Sequence, residues 1–587
     1  MADQPLDSGA SESIDRRDFL KLTGASAGIF GTTALAGCGG GGDGDGGGGG
    51  GDGGDGGDGG DGGDGGSGGD GGSGMGDKLP QYVYLNNPPN YNPARNDAIN
   101  LIAEQFKKLG LDMKVEVLEW GTLYNRIMNE QDYSFATWNR GLGIDPGRRM
   151  PEQFHSRNAE KGMGNFTGYI NKDLDPTLDK QMQVTDTDER IDMLYDIQEA
   201  LTRDCAMNPI VQMPLIMPHH SDVSGWIDTL TGYNKYYNMV NIEVDNSKNE
   251  LRGSWSETMG TLNVVGYHNE TKLIYQFDVL YDKLIRFNPE LKPDPEYTLA
   301  KDWELPSKAQ IPYTIRDHKW HDGEDLDAED VAFTFNYLKE HKAPLYRAQW
   351  ERVKEAKAVD SQTAEITFYE EKAPGPVHTL FSNQVPIIPK HIWSKRDKPL
   401  EMQVKEPVGS GPLQFDYWDE GSELSLKRNP DHWKPTNFKK RIWRIIPNVS
   451  TTWELMKSGE LNYNPFGRIS KQLKENHENL DQIKVKTMPG DGWWHCSMNL
   501  RQPGLGPREE GRPVRQAAVH SIPKTAINDQ LLYGYTKPGW NLVGKGFGQY
   551  CNEDVKRYEE GVENGKQLLK DAGYKWDDDG KLHFPAE

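Results

Sequence analysis

A mixed α/β fold in several lobes is predicted by three observations. From Leu79 onward the sequence alternates half-buried strand patterns with amphipathic helix patterns. Hydrophobic residues make up 35% of the chain, enough to bury a core once one long glycine tract is set aside. At 587 residues there is room for several domains.

The first forty residues read as an address. Arg16 and Arg17 stand before Phe19, Leu20 and Lys21, the pattern of a twin-arginine export signal. A glycine-interrupted apolar run from Gly24 to Ala36 follows, too short for a permanent membrane anchor. "LAGC" then matches a lipobox, in which Cys38 is diacylated and becomes the new N-terminus. Residues 1–37 are expected to be a lipoprotein signal peptide and 38–78 a Gly/Asp-rich disordered tether. Such a tract has no apolar groups to offset its ordering entropy. Its average span is about 35 Å. Calcium-binding glycine repeats also need a regular apolar residue, and none occurs here. The expectation is a protein exported whole and held by lipid on the outer face of a membrane.

A net charge of −22 argues against a nucleic-acid surface, which needs a basic patch. Apart from Cys38, the cysteines are Cys205, Cys496 and Cys551, too scattered for a metal framework; one disulfide among them is left open.

Along the globular part, "DAINLIAEQFKKLG" places Ile99, Ile102, Ala103 and Phe106 on one helix face, with Asp97 the expected cap and Gly110 the stop. "MKVEVLEW" alternates as a strand, followed by a helix near Leu123–Met128 and a strand near Ser134–Trp138. "DLDAEDVAFTFNYLKE" begins with a capping box, Asp327 with Asp330, and carries Val331, Phe335 and Leu338 as its stripe. Strands are expected at Thr363–Tyr369 and Ser422–Arg428, and a last helix carries Leu568 and Leu569 before Gly573.

Enzyme signatures are missing: there is no HExxH, no phosphate loop and no GxSxG elbow. "PVGSGP" has the wrong spacing around Ser410 for an elbow and reads as a tight turn that approaches a ligand. His318, His321 and Asp322 are residue types that ligate metals, but Asp-Gly is a turn signal and the later acids cap a helix, so no metal is expected. His219 and His220 are adjacent and point opposite ways on a strand. Clustered aromatics with polar neighbours are more informative. Trp493, Trp494 and His495 follow "PGDG", and Trp138 and Arg140 run into "GLGIDPG", as the wall of a polar-solute pocket would. Each Trp alone would serve equally well in an ordinary core.

Four segments carry a resemblance. "TLAKDWELPSKAQIPYTIRDHKWHDGEDLDAEDVAFTFNYLK", "EPVGSGPLQFDYWDEGSELSLKRNPDHW", "GRPVRQAAVHSIPKTAI" and "GKQLLKDAGYKWDDDGK" resemble, in order, motifs of the family 5 extracellular solute-binding proteins, the peptide- and nickel-type receptors of ABC importers. In that family the last segment lies mid-chain. Its usual continuation resembles "LPQYVYLNNPPNYNPARNDAINLIAEQFKKLGLDMKVEVLEWGTLYNRI", which stands at the front of this chain. The order resembles a circular permutation: residues 79–246 match the family's last third and 260–587 the part before it.

The resemblance implies a periplasmic-binding-protein-like α/β fold of class II, three-domain type, with two hinged lobes plus an extra domain. Lobe two takes 79–208 and 490–587. Lobe one takes 209–280, including the join at 244–260, and 407–489. The extra domain takes 281–406. Hinge strands are expected near Met488–Met498 and Asn208–Met217, and Leu79 should neighbour Lys581–Pro585. Peptide-binding relatives often carry an acid about three positions after the residue matched by Trp138; here Gly141 stands there beside Arg140, which would favour a carboxylate or another anion if it faces the cleft and equally suits an exposed rim position. The implied function is a lipid-anchored, monomeric receptor that delivers a small polar solute or peptide to an ABC permease, with no cofactor and no catalysis. The expected ligand-binding residues are Trp493, Trp494, His495, Trp138, Arg140, Ser410, His268 and Asn269. A ligand-presenting sensory receptor is the alternative, and a surface hydrolase a remote one.

Overall fold

The computed structural model describes residues 75–586 except 185, 231, 233, 234, 257, 259, 267–270, 306, 308, 371–381 and 465–468. The signal, Cys38, most of the tether, His268 and Asn269 therefore lie outside the described residues. The longer strands are β1 (Gln81–Asn86), β2 (Asp112–Val117), β3 (Phe135–Gly141), β4 (Met207–His220) and β5 (Glu250–Trp255). Then come β6 (Ala300–Trp303), β7 (Gln310–Ile315), β8 (Val353–Ala358) and β9 (Thr363–Phe368). The last are β10 (Leu413–Asp419), β11 (Glu423–Arg428), β12 (Lys440–Ile445) and β13 (Ile483–Met498). Helices α1 (Pro93–Leu109), α2 (Pro146–Phe154), α3 (Thr187–Asp204), α4 (Thr271–Leu280), α5 (Ala328–Glu340), α6 (Arg512–His520) and α7 (Val562–Asp571) pack between and over them.

Local chemistry explains most boundaries. In α5 the Asp327 carboxylate accepts from the Glu329 and Asp330 amides, and Asp330 accepts from the Asp327 amide, completing the expected capping box. Val331, Phe335 and Leu338 are buried beneath it. Helix α1 departs from expectation at its start. Asn92, not Asp97, is the cap, its side chain accepting from the Arg95 amide, because Pro93 suits the first helical position and lets the helix begin earlier.

One lobe is built on a six-stranded sheet in the order Lys537–Pro538, β4, β13, β3, β1, β2. Strands β1, β2 and β3 are parallel; β3, β13 and β4 pair antiparallel. Both faces are covered. Tyr82, Tyr84, Phe135, Trp494 and Cys496 bury one face against Phe106 of α1, Val514 and Ala518 of α6 and Leu569 of α7. Leu85, Ala136, Trp138 and Trp493 bury the other against Phe166 and, in α3, Leu194 and Ile197. The second lobe contains the sheet β10-β11-β12-β5, where β12 and β5 run parallel with Trp443 opposite Gly253. A third sheet, β8-β9-β7-β6, packs with α5 and shares its core with the second lobe.

Strands β4 and β13 join the two lobes. Ile210 and Val211 of β4 lie with Trp494 and Cys496 of β13 in one core; Met217 and Met488 lie in the other. Between them, Gln212–Leu215 and Pro489–Asp491 are partly or fully exposed, and the register shifts between Met488 and Gly492.

The two ends of the folded region meet. The Leu79 amide donates to the Leu582 carbonyl (3.0 Å), Gly76 to Phe584 (3.0 Å) and Phe584 to Asp77 (2.9 Å). Residues 76–78, read from composition as tether, are thus held as a short antiparallel pair, and Leu79 and Leu582 are both buried. The amide of Leu582 also donates to Gly110. Gly110 has a φ of +104° at the end of α1, and a Cβ there would lie 2.3 Å from Trp576 Nε1, which donates to the Leu109 carbonyl. Gly110→Ala should therefore destabilise the protein by about 1–3 kcal/mol, read as a fall in the urea midpoint; an unchanged midpoint would mean that this closure contributes nothing.

Candidate functional site

Several of the sequence-expected residues converge inside the six-stranded lobe. Trp138 of β3 stands opposite His495 of β13, their ring centroids 4.7 Å apart. Phe166 packs on Trp138 at 4.8 Å, and the Arg140 guanidinium lies 5.2 Å over the Phe166 ring. Trp493 shares this core, whereas Trp494, one residue on, points to the opposite core. His495 is fully buried, with Nδ1 2.7 Å from Ser497 Oγ. Burial, followed by the charges of Arg140 and Arg95, pushes its pKa well below the usual histidine range, so the ring is neutral. His495 Nε2 and Trp493 Nε1 have no hydrogen-bond partner among the described residues.

Ser410 is buried in the other lobe. Its amide donates to the Leu280 carbonyl (3.0 Å), its Oγ accepts from the Asp282 amide (3.2 Å), and its carbonyl accepts from His318 Nε2 (2.7 Å). The glycines beside it serve a close backbone approach: a Cβ on Gly409 would lie 1.9 Å from the Leu280 carbonyl oxygen. That approach is to the end of α4.

The histidines resolve into hydrogen-bonded anchors. His321 Nε2 lies 3.0 Å from the Gly411 carbonyl, and Asp322 pairs with His391 at 2.8 Å, so the expected turn does not converge as a ligand set. His318, His432 and Asp282 do cluster, with possible ligand atoms within 4.8 Å of one another. Their protons argue against a metal. His432 Nδ1 accepts from the Lys434 amide (2.9 Å), so Nε2 carries the proton that faces Asp282 Oδ1 at 3.3 Å. His318 Nε2 is committed as a donor to Ser410. Burial alone would raise the Asp282 pKa, but His432 and His318 outweigh it and hold the carboxyl below its usual range. Cys205, Cys496 and Cys551 are all buried and free.

A cavity of about 340 Å³ lies between the lobes. None of Trp138, Arg140, Ser410, Trp493, Trp494 and His495 lines it. Gly143, Ile144 and Arg148 face it from the six-stranded lobe. Their position follows from the Asp-Pro start of α2: Asp145 accepts from the Arg148 amide (3.1 Å), and Arg190 Nη2 holds both carboxylate oxygens of Asp145 at 2.8 Å. From the opposite side come Lys235, Tyr236, Asp278, Lys283 and Arg286, with Leu345 and Gln384 from the region of the third sheet.

Asp278 organises that opposite wall. Its Oδ1 accepts from Lys283 Nζ and Arg286 Nη1, and its Oδ2 from the Tyr236 amide (2.7 Å). Arg286 Nη2 donates to the carbonyls of Asp278 (2.9 Å) and Tyr281 (3.0 Å), and the guanidinium lies 3.7 Å over the Tyr236 ring. Burial opposes ionisation of Asp278, yet Lys283 and Arg286 outweigh it and hold its pKa well below the usual range. Burial lowers Lys283 to about 8, against the opposing pull of Asp278. These residues are spread through "YNKYY" and "FDVLYDKLIRF", where only the alternation of acid and base hinted at an ion network.

Removing the carboxylate would strand two buried cations, so Asp278→Asn is expected to cost about 3–5 kcal/mol in chemical denaturation. Because the folded pKa is depressed, this stabilisation is present above the ordinary carboxyl pKa of about 4 and is lost as pH falls through the lowered value. The variant should therefore show a flatter acid limb in stability against pH; wild-type slope and midpoint would refute the assignment.

No helix among the described residues is long and apolar enough to cross a membrane. Residues 294–586 match the description "Bacterial extracellular solute-binding proteins, family 5 Middle". The dipeptide-binding protein of Escherichia coli (strain K12) is 25% identical over 323 residues, 50% of this chain and 58% of that protein. The oligopeptide-binding protein AppA of Bacillus subtilis (strain 168) is 24% identical over 267 residues, 44% of this chain and 47% of that one. Among solved structures, NikZ from Campylobacter jejuni in complex with Ni(L-His) aligns at 20% identity and a TM-score of 0.40, covering 58% of this chain and 66% of that one. The chain spans about half the length of the curated relatives it matches. With the matched segment running through the third sheet, the second lobe and on to α7, the chain belongs to the family 5 bacterial extracellular solute-binding proteins.

Proposed function

We propose that this protein is the solute-receiving component of an ABC importer. It binds a small polar solute, peptide-like or other, between its lobes and hands it unchanged to a membrane permease. The observation that carries this reading is the cavity of about 340 Å³ walled from both lobes, which two long strands join. A cavity so placed opens and closes as the lobes rock about β4 and β13. The names of the E. coli and B. subtilis relatives, dipeptide- and oligopeptide-binding, support a peptide-like solute.

In this reading residues 1–37 are a twin-arginine lipoprotein signal, Cys38 bears the lipid, and the Gly/Asp tract tethers a monomer to the outer face of the cell membrane. Because Leu79 packs in the six-stranded lobe, the tether enters there. Native mass spectrometry of protein exported by its own host should detect a bound small solute that is released intact. Chemical turnover of that solute would contradict a receptor.

We further propose that the chain is circularly permuted, with the third sheet as the extra domain. Two facts support this. Strands β1–β4, early in sequence, share one sheet with β13, late in sequence, and residues 76–79 pair with 582–584. The exposed turn at Ser247 and Lys248 lies in the segment that joins the two parts. A reordered chain starting at Lys248, running to Pro585, linked by a short turn to Gly76 and ending at Ser247 should fold and bind the same solute. An unfolded or non-binding product would overturn the proposal.

A further inference from the structure

The cavity between the lobes is charged out of balance. Four cationic side chains line it, Arg148, Lys235, Lys283 and Arg286, against one carboxylate, Asp278. This reverses the sign of a chain whose net charge is −22. Lys283 and Arg286 are both engaged with Asp278.

Arg148 is different. Among the described residues its guanidinium makes no hydrogen bond and no ion pair, although the side chain is half-buried. Its nearest acid in sequence, Asp145, is held through both oxygens by Arg190. Charges of both signs surround it without pairing with it: Arg149 beside it and Arg352 near the third sheet repel it, while Asp145 and Glu152 attract it without an ion pair. A partly desolvated guanidinium with no pairing partner, in a cavity lined by three other cationic side chains, is unfavourable unless an anion completes the site. Two further polar atoms of lining residues, Arg286 Nε and Tyr236 Oη, are buried without a partner among the described residues.

We propose that the cavity takes a small anionic solute whose oxyanion group, a carboxylate or phosphate, sits on Arg148. This rests on the reading of the cavity as the solute site. The planar fork of arginine suits two parallel hydrogen bonds to such a group. The volume of about 340 Å³ limits the solute to a small molecule or a very short peptide.

The test is calorimetric titration of the full-length protein, freed of bound solute, with four probes. N-acetyl-dialanine, succinate and inorganic phosphate are anionic, and dialanine amide is cationic. At least one anionic probe should bind and the amide should not. Arg148→Gln should weaken that probe by at least about tenfold, Arg148→Lys by less, and raised salt should weaken it further. Carboxylate probes binding without phosphate would assign a carboxylate, and the reverse a phosphate. Preferential binding of the amide, failure of every anion, or equal anion affinity in Arg148→Gln would overturn the proposal. Leu345→Trp separates the two claims. If it abolishes binding that Arg148→Gln leaves intact, the cavity stands and the anion assignment falls; if it leaves all binding unchanged, the cavity is not the solute site.

Discussion

The pairing of β4 with β13 is the constraint on which the rest of the molecule depends. Each strand is anchored at both ends in a different hydrophobic core, Ile210 and Trp494 in one, Met217 and Met488 in the other. Their backbone groups satisfy each other across the gap, so exposed chain between lobes leaves few orphaned donors or acceptors. The middle of each strand buries little, and the register shift near Gly492 weakens the ladder there. A two-stranded connection with firm ends and a thin middle resists separation of the lobes while permitting rotation. The cavity lies between lobes joined in this way.

Buried carboxylates hold the chain together on either side of that connection. Asp278 draws the start of a short helix (Tyr236–Asn241), the end of α4 and the Lys283–Arg286 segment into one wall. Asp282, four residues on and past the end of α4, is faced by His318 and His432 and ties their two segments to its own. Asp204, at the end of α3, accepts from Tyr169, Arg508 and Arg512 and so links α3 to the start of α6. In each case hydrogen-bond donors or neighbouring basic groups hold the carboxylate pKa down against burial, which makes these positions specify geometry more than add stability.

Much of the fold was legible because its local signals agree. The Asp327 box, the Gly110 stop and the alternation of β9 and β11 each depend on neighbours within a few residues. The Asp-Pro after β3 was legible as a motif, though its effect, fixing Arg148 at the cavity, needs Arg190 from α3. The cavity wall was not legible. Arg148, Lys235 and Arg286 are far apart in sequence and meet only through topology. Aromatic clustering pointed elsewhere: Trp138, Trp493 and Trp494 each fill a lobe core, where large rings bury most area, and the strand period that separates Trp493 from Trp494 was already visible in the sequence.

The central claim is that the two lobes close on a solute by turning about β4 and β13. Dyes attached at Met163→Cys, on the six-stranded lobe, and Val359→Cys, beside the third sheet, in a Cys38→Ser background, would report it by energy transfer, since both positions are exposed and Cys205, Cys496 and Cys551 are buried. Adding back the solute released from the natively exported protein should raise transfer and narrow its distribution. Transfer that is unchanged by the bound solute would contradict the account.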